Sequence, residues 1–217
     1  MSLLKKIYLS PIGIFISILM NFYSFFTKPI MIYGFFSKNR FLKNTRISST
    51  VCILSKNNLD IGDNCWVWHH SIIDASNGVK IGKGVQIGAF VGIFTHSSHV
   101  AIRLHGADFM KIDASERLGY VRAPVQIGDY SFVAASSIIM PGTIIGKGCV
   151  VGAGSIVKGV IPDFSIVAGN PGKVIGNVDD FDRSYIDEIG IDKSYFDNEH
   201  FLALRNKFTI DKREQYD

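Results

Sequence analysis

Three histidines, His96, His99 and His105, fall within the segment FTHSSHVAIRLHG. An imidazole titrates near pH 6.5, so at neutral pH it can take a proton from a reacting group and return it later. His96 and His99 therefore suit general acid–base work. A lone histidine is more often a hydrogen-bonded surface or core residue, but two at the mouth of a long irregular segment argue for chemistry. The chain has no GxxxxGK[ST] loop and no GxGxxG after a strand, so neither a nucleoside triphosphate nor a dinucleotide is indicated. Cys52, Cys65 and Cys149 are odd in number and far apart, with no CxxC pair. That argues against a disulfide framework or a zinc ribbon and fits a reducing compartment.

The elements that must position the histidines are written in a period of six. The series Ile61, Val67, Ile73, Val79 slips by two residues at Asn77-Gly78, restarts at Ile81, Ile87, Ile93, and resumes at Ile127, Val133, Ile139, Ile145, Val151, Val157. Every position is Ile or Val. A small or β-branched residue usually follows four later, including Cys65 and Cys149, which read as packing residues. Strands alternate with period two and helices with 3.6, so a sustained six calls for a solenoid. Each hexapeptide makes a short strand and a turn, and three close a triangular coil. The aliphatic side chains point inward, and coils stack at about 4.8 Å. Between Ile93 and Ile127 the register breaks for residues 94–124, longer than the roughly 12–15 residues of the longest plain loops, so the excursion reads as functional.

The segments IGDNCWVWHHSIID, IGKGVQIGAFVGIFTHSSH, IGDYSFVAASSIIMPGTIIGKGCVVGAGSIVKGVIP and IVAGNPGKVI resemble the hexapeptide-repeat acyltransferases, above all the branch that acetylates sugar hydroxyls. The likeness covers about residues 59–175. It implies a mainly β fold, a left-handed parallel β-helix; the left hand comes from the resemblance alone, because crossovers between parallel strands are ordinarily right-handed. It implies acetyl-CoA as cosubstrate, no metal, and a homotrimer with sites between neighbouring prisms. In that branch a histidine lies five residues after the last aliphatic position. Ser98 occupies that place here, with His99 one later and His96 two earlier. His99 is the expected base and His96 its orienting partner, with the two roles open to exchange.

The resemblance also places Ala135 and Ala153 against the coenzyme's pantetheine, and Lys158 and Lys173 against its phosphates. One basic position of the family, three beyond Lys173, is Gly176 here. In WVWHH, Trp68 and His70 are expected to contact the acceptor, since aromatic faces stack on sugars; covering a solenoid face is an equal use for the tryptophans. Two other readings stay open. One is a zinc-dependent hydratase like the gamma-class carbonic anhydrases, whose paired histidines are five apart, against three here. The other is a non-catalytic solenoid scaffold.

The 217 residues are 47% hydrophobic and 19% charged, which excludes a disordered chain. Residues 1–46 carry a net +7, residues 47–175 +2 and residues 176–217 −5. The basic excess surrounds the apolar run from Ile7 to Phe26, so it points to a membrane surface and not to nucleic acid. Small or polar residues (Gly13, Ser17, Asn21, Ser24, Lys28) form one narrow stripe along it. Three regions are expected: hydrophobic, basic helices in 1–46, within residues 3–36; the β-helix in 47–176; and an acidic helical tail in 177–217. The N-terminal helices are read as lying in a membrane interface, or else packing on the prism or its trimer. The whole reads as a cytoplasmic enzyme, peripheral at the inner face of the membrane, that O-acetylates a sugar of a cell-envelope polysaccharide or its precursor.

Overall fold

The computed structural model describes residues 10–26, 28–188 and 191–214. Two compact units emerge, residues 1–30 and residues 31–217. Among its described residues the first contains one helix, α1 (Pro11–Phe26), without a charged residue. Lys5, Lys6 and the start of the apolar run lie outside the described residues.

The expected helical character of the N-terminal region stops at α1. Met31–Ser37 (β1) and Arg40–Ser48 (β2) are strands that pair antiparallel across a two-residue turn, Lys38-Asn39, with Lys38 in the left-handed region at φ 51°. Pro29 has no N–H to continue a helix, and MIYGFFS is aromatic and β-branched, which suits a pleated surface. β2 then pairs parallel with Trp66–Val67, so the solenoid begins before residue 47.

From there the chain winds into three flat parallel sheets. The first face stacks β1, β2, 66–67, 86–87, 132–133, 150–151, 165–168 and 173–177. The second stacks 52–54, 72–74, 92–93, 138–139 and 156–157, and the third 59–61, 79–81, 125–127, 144–145 and 160–161. The aliphatic positions expected from the sixfold count are all buried, and Ile47, Ile161 and Val167 extend the same core. Antiparallel hairpins close the first face at both ends, β1 on β2 and 173–177 on 165–168. They shield strand edges that would otherwise template another chain.

The triangular coil is less uniform than a strict eighteen. Two corners of the prism always take one hexapeptide, as in Ile61 to Val67 and Val67 to Ile73. The corner between the second and third faces absorbs every irregularity. It uses eight residues from Ile73 to Ile81, the long excursion from Ile93 to Ile127, six from Ile139 to Ile145 and four from Val157 to Ile161. A corner can lengthen without disturbing register because the strands on either side keep their pairing. His96 and His99 sit on that one variable edge.

The acidic tail forms short helices at Asp179–Asp182 (α3, after α2 at Ala101–His105 in the excursion) and Ile191–Ser194 (α4), then a long one at Asn198–Glu214 (α5). Phe201, Leu204 and Phe208 bury one stripe of α5 against Ile186, whereas Leu202 is exposed. Spacings of three and four share a helix face; residue 202 falls off it. The tail packs on the prism through His200, stacked on Phe164, and through the Lys147–Asp197 ion pair.

Candidate active site

Asp74 ends a strand of the second face and is almost completely buried, with 1% of its side chain exposed. Its carboxylate accepts hydrogen bonds from the Ser76 amide at 3.0 Å, the Ser76 hydroxyl and, at 3.4 Å, the Thr95 amide. One coil further on, His96 places Nδ1 2.7 Å from Asp74 Oδ2 while its ring stays 37% exposed. Burial pushes the Asp74 carboxyl up, but the hydrogen bonds from Ser76 and Thr95 and the neighbouring His96 outweigh it and hold it below its ordinary value. A carboxylate on Nδ1 fixes the tautomer that leaves Nε2 as the free, proton-accepting nitrogen.

The excursion is anchored where it begins and ends. Thr95 Oγ1 donates to the Asp74 carbonyl at 3.0 Å, Asn77 Nδ2 donates to the Thr95 carbonyl, and the Ala123 amide donates to the same oxygen. His96-Ser97 pairs antiparallel with Val121-Arg122, forming a small ribbon. Tyr120 lies nearly parallel to the His96 ring, centroids 5.7 Å apart. The His96 ring is thus gripped on one side by a buried acid and on one face by an aromatic ring.

His99, the base expected from the resemblance, stands apart from this arrangement. Its Nδ1 meets the Ser97 hydroxyl at 2.8 Å, its carbonyl accepts from Arg103, and the residue is exposed. The two rings thus differ in partner, a hydroxyl for His99 and a buried carboxylate for His96, and a hydroxyl does not stabilise an imidazolium as a carboxylate does. His105 ends α2, and its Nε2 is buried without a partner among the described residues. Asp74, Thr95 and Tyr120 were not singled out from the sequence; an acid closing the apolar strand Ile72–Asp74 is the one signal that marks Asp74.

Four further candidates, Trp68, His70, Ala135 and Ala153, gather at the corner between the first and second faces. Ala135 and Ala153 are exposed and stacked one coil apart, the Gly154 amide donating to the Ala135 carbonyl at 3.0 Å. A groove of ≈ 350 Å³ runs beside them, lined by Trp66, Trp68, Gln86, Ala89, Phe132 and Ala135. Trp68 packs on Trp66 with centroids 5.2 Å apart, and His70, in the left-handed region at φ 59°, stacks on Phe90. Within one chain this corner and His96 occupy opposite edges of the second face. Lys158 sits on the same edge as His96, and Lys173 on the closing hairpin; both are exposed. Among the described residues no group of three His, Cys, Asp or Glu is placed to hold a metal, so the hydratase reading finds no ligand set within one chain.

Cys65 and Cys149 pack inside the prism. Their thiols donate to the Gly82 and Pro162 carbonyls, each at 3.0 Å, and burial pushes Cys65 up to about 12 and Cys149 upward as well. Such thiols are poor nucleophiles. Ellman's reagent is therefore expected to titrate Cys52 alone in the folded protein, and all three cysteines after denaturation. More than one fast thiol before denaturation contradicts this.

The fold and the repeat together define a class, and comparison with known proteins gives it a name. Residues 124–159 match the family model of the bacterial transferase hexapeptide (six repeats). The chain is 35% identical over 130 residues to Protein CapG of Staphylococcus aureus, covering 60% of this chain and 70% of that protein. It is 37% identical over 129 residues to YJL218W of Saccharomyces cerevisiae, provisionally named an acetyltransferase, covering 58% of this chain and 60% of that protein. A solved galactoside acetyltransferase in complex with coenzyme A is 28% identical, with a TM-score of 0.50, covering 61% of this chain and 62% of its own. The chain belongs to the hexapeptide-repeat acyltransferase family, and its prism is the left-handed β-helix. The match spans less than two thirds of the yeast protein and of the galactoside acetyltransferase.

Proposed function

We propose that the protein transfers an acetyl group from acetyl-CoA to a sugar hydroxyl of a cell-envelope polysaccharide or its precursor. The His96–Asp74 pair carries this reading. A sugar hydroxyl is a weak nucleophile at neutral pH, and its proton must leave as its oxygen attacks the thioester carbon. His96 Nε2 takes that proton, Asp74 holds the ring and stabilises the charge it gains, and the C–S bond breaks as the ester forms. His96 then returns the proton to the departing sulfur. His99 lies on the excursion, three residues from His96, and is left as an exposed neighbour of the pair.

The residues present suit the coenzyme. The exposed Ala135–Ala153 column lets a slender pantetheine approach the backbone, and a Cβ added at Gly154 would meet open space. Lys158 and Lys173 offer charge to the phosphates, and Trp68 and His70 offer flat faces to a sugar. Because the Ala column and His96 stand on opposite edges of one face, a second copy completes the site, and the enzyme acts as a trimer. Sedimentation is expected to give three times the 24.0 kDa chain mass; a monomer at micromolar concentration contradicts it. Thiol release from acetyl-CoA in the presence of candidate glycans tests the activity itself.

Residues 1–30 dock this enzyme on an anionic membrane surface. Along α1, Ile12, Phe15, Ile18 and Leu19 are all at least half exposed, and the helix carries no charge. No described helix is long and apolar enough to cross a membrane. At 16 residues the described α1 spans about 24 Å, against a hydrocarbon core of roughly 30 Å, and its exposed apolar side chains suit a helix lying in the interface.

A further inference from the structure

The excursion carries three arginines, and two of them serve the loop itself. Arg103 donates to the His99 carbonyl. Arg117 Nε donates to the Ile112 carbonyl at 3.1 Å, and its guanidinium covers Phe109. Arg122 differs. Among the described residues its guanidinium has no carboxylate or carbonyl partner; it lies over the Tyr120 ring, 4.6 Å from the centroid.

Its position is set by the ribbon. Arg122 pairs directly with His96, and directly paired residues project to the same side with Cβ atoms about 5 Å apart. Tyr120, two residues earlier, falls on that side too and stacks on His96. His96, Tyr120 and Arg122 therefore form one layered surface, with an exposed, permanently charged fork beside the proposed base. Tyr120 holds the fork without using any of its five donors. A guanidinium kept in place and left unpaired is suited to receive a bidentate oxyanion.

We propose that Arg122 recognises a carboxylate or phosphate on the acceptor, so that the acetylated hydroxyl belongs to an acidic sugar or a sugar phosphate. This rests on the acetyl-transfer reading above and specifies its substrate class. A neutral sugar lacks the partner that fills the fork, and an acceptor with an oxyanion near the reacting hydroxyl is oriented on His96 by it.

The test separates recognition from chemistry. Binding of glucuronic acid, glucose 1-phosphate and glucose to the full-length protein is measured by calorimetry, for wild type, Arg122→Gln and Arg122→Lys. Acetyl transfer to the same three sugars is measured alongside. One or both of the anionic sugars should bind more tightly than glucose, which tells a carboxylate from a phosphate source. Arg122→Gln should weaken that binding about 10- to 100-fold, the range for losing a charge-assisted hydrogen bond, and leave glucose and the KM for acetyl-CoA unchanged. Arg122→Lys should recover only part of the loss, since an ammonium is not a planar fork. Equal binding of all three sugars to wild type overturns the proposal. So does an Arg122→Gln effect confined to acetyl-CoA, which places the arginine at the coenzyme's phosphates. Arg122-dependent binding of an acidic sugar with no transfer to any acceptor supports the recognition and counts instead against the acetyltransferase reading.

Discussion

Replacing His96 by Ala is expected to lower kcat by about 10²- to 10⁴-fold, the usual contribution of a positioned acid–base group, while acetyl-CoA binds as before. Asp74→Asn should lose at least about tenfold, because an amide on Nδ1 no longer stabilises the imidazolium and can present the wrong tautomer. His99→Ala should stay within a few-fold of wild type. Steady-state kinetics on all three variants check the ranking, and the opposite ranking of His96 and His99 would transfer the base to His99. An acid-stability comparison tests Asp74 separately. Its carboxyl is held below the ordinary aspartate value, so the stability it contributes is present above that ordinary value and is lost as pH falls through the lower folded value. The wild type should therefore lose more stability in that acid range than Asp74→Asn does. Through the neutral range Asp74 stays ionised, ready to support the imidazolium.

Removing residues 1–30 is expected to release the enzyme from membranes and leave its transfer activity on a soluble acceptor intact. The cut falls at the boundary between the two compact units. A cut at residue 36 would also remove most of β1, which pairs with β2 along the first face, and would damage the prism. Flotation with vesicles containing phosphatidylserine checks the result. The full chain should float and the truncated chain should sediment. Each basic residue near anionic lipid adds about 1 kcal/mol, and salt screens that part. The apolar contacts of Ile12, Phe15, Ile18 and Leu19 are not screened, so binding should weaken with salt and not vanish. If the intact protein stays at the bottom of the gradient, the membrane reading ends. If truncation unfolds or aggregates the enzyme, the segment packs on protein instead.

The solenoid was legible in the sequence because its determinant is local and repeated. Each inward Ile or Val meets its counterpart one coil on, so a count by six along the chain is already a list of core residues, from Ile61 to Val157. The excursion, too, was marked at 94–124 by loss of register. Pairing across the chain was not marked in this way. The sequence offered an apolar stretch through residue 36, and only the antiparallel partner in β2 turned Met31–Ser37 into a strand. The choice between His96 and His99 was likewise out of reach along the chain. Three residues separate them, and both are histidine; what distinguishes them is Asp74, buried one coil below and brought under His96 by the stacking of Ile73 on Ile93. Composition and period thus determined the scaffold, because inward side chains are chosen by a single environment that recurs. The juxtaposition of His96, Asp74 and Arg122 was decided by tertiary structure, because it depends on which residues the coil stacking and the excursion's ribbon set side by side.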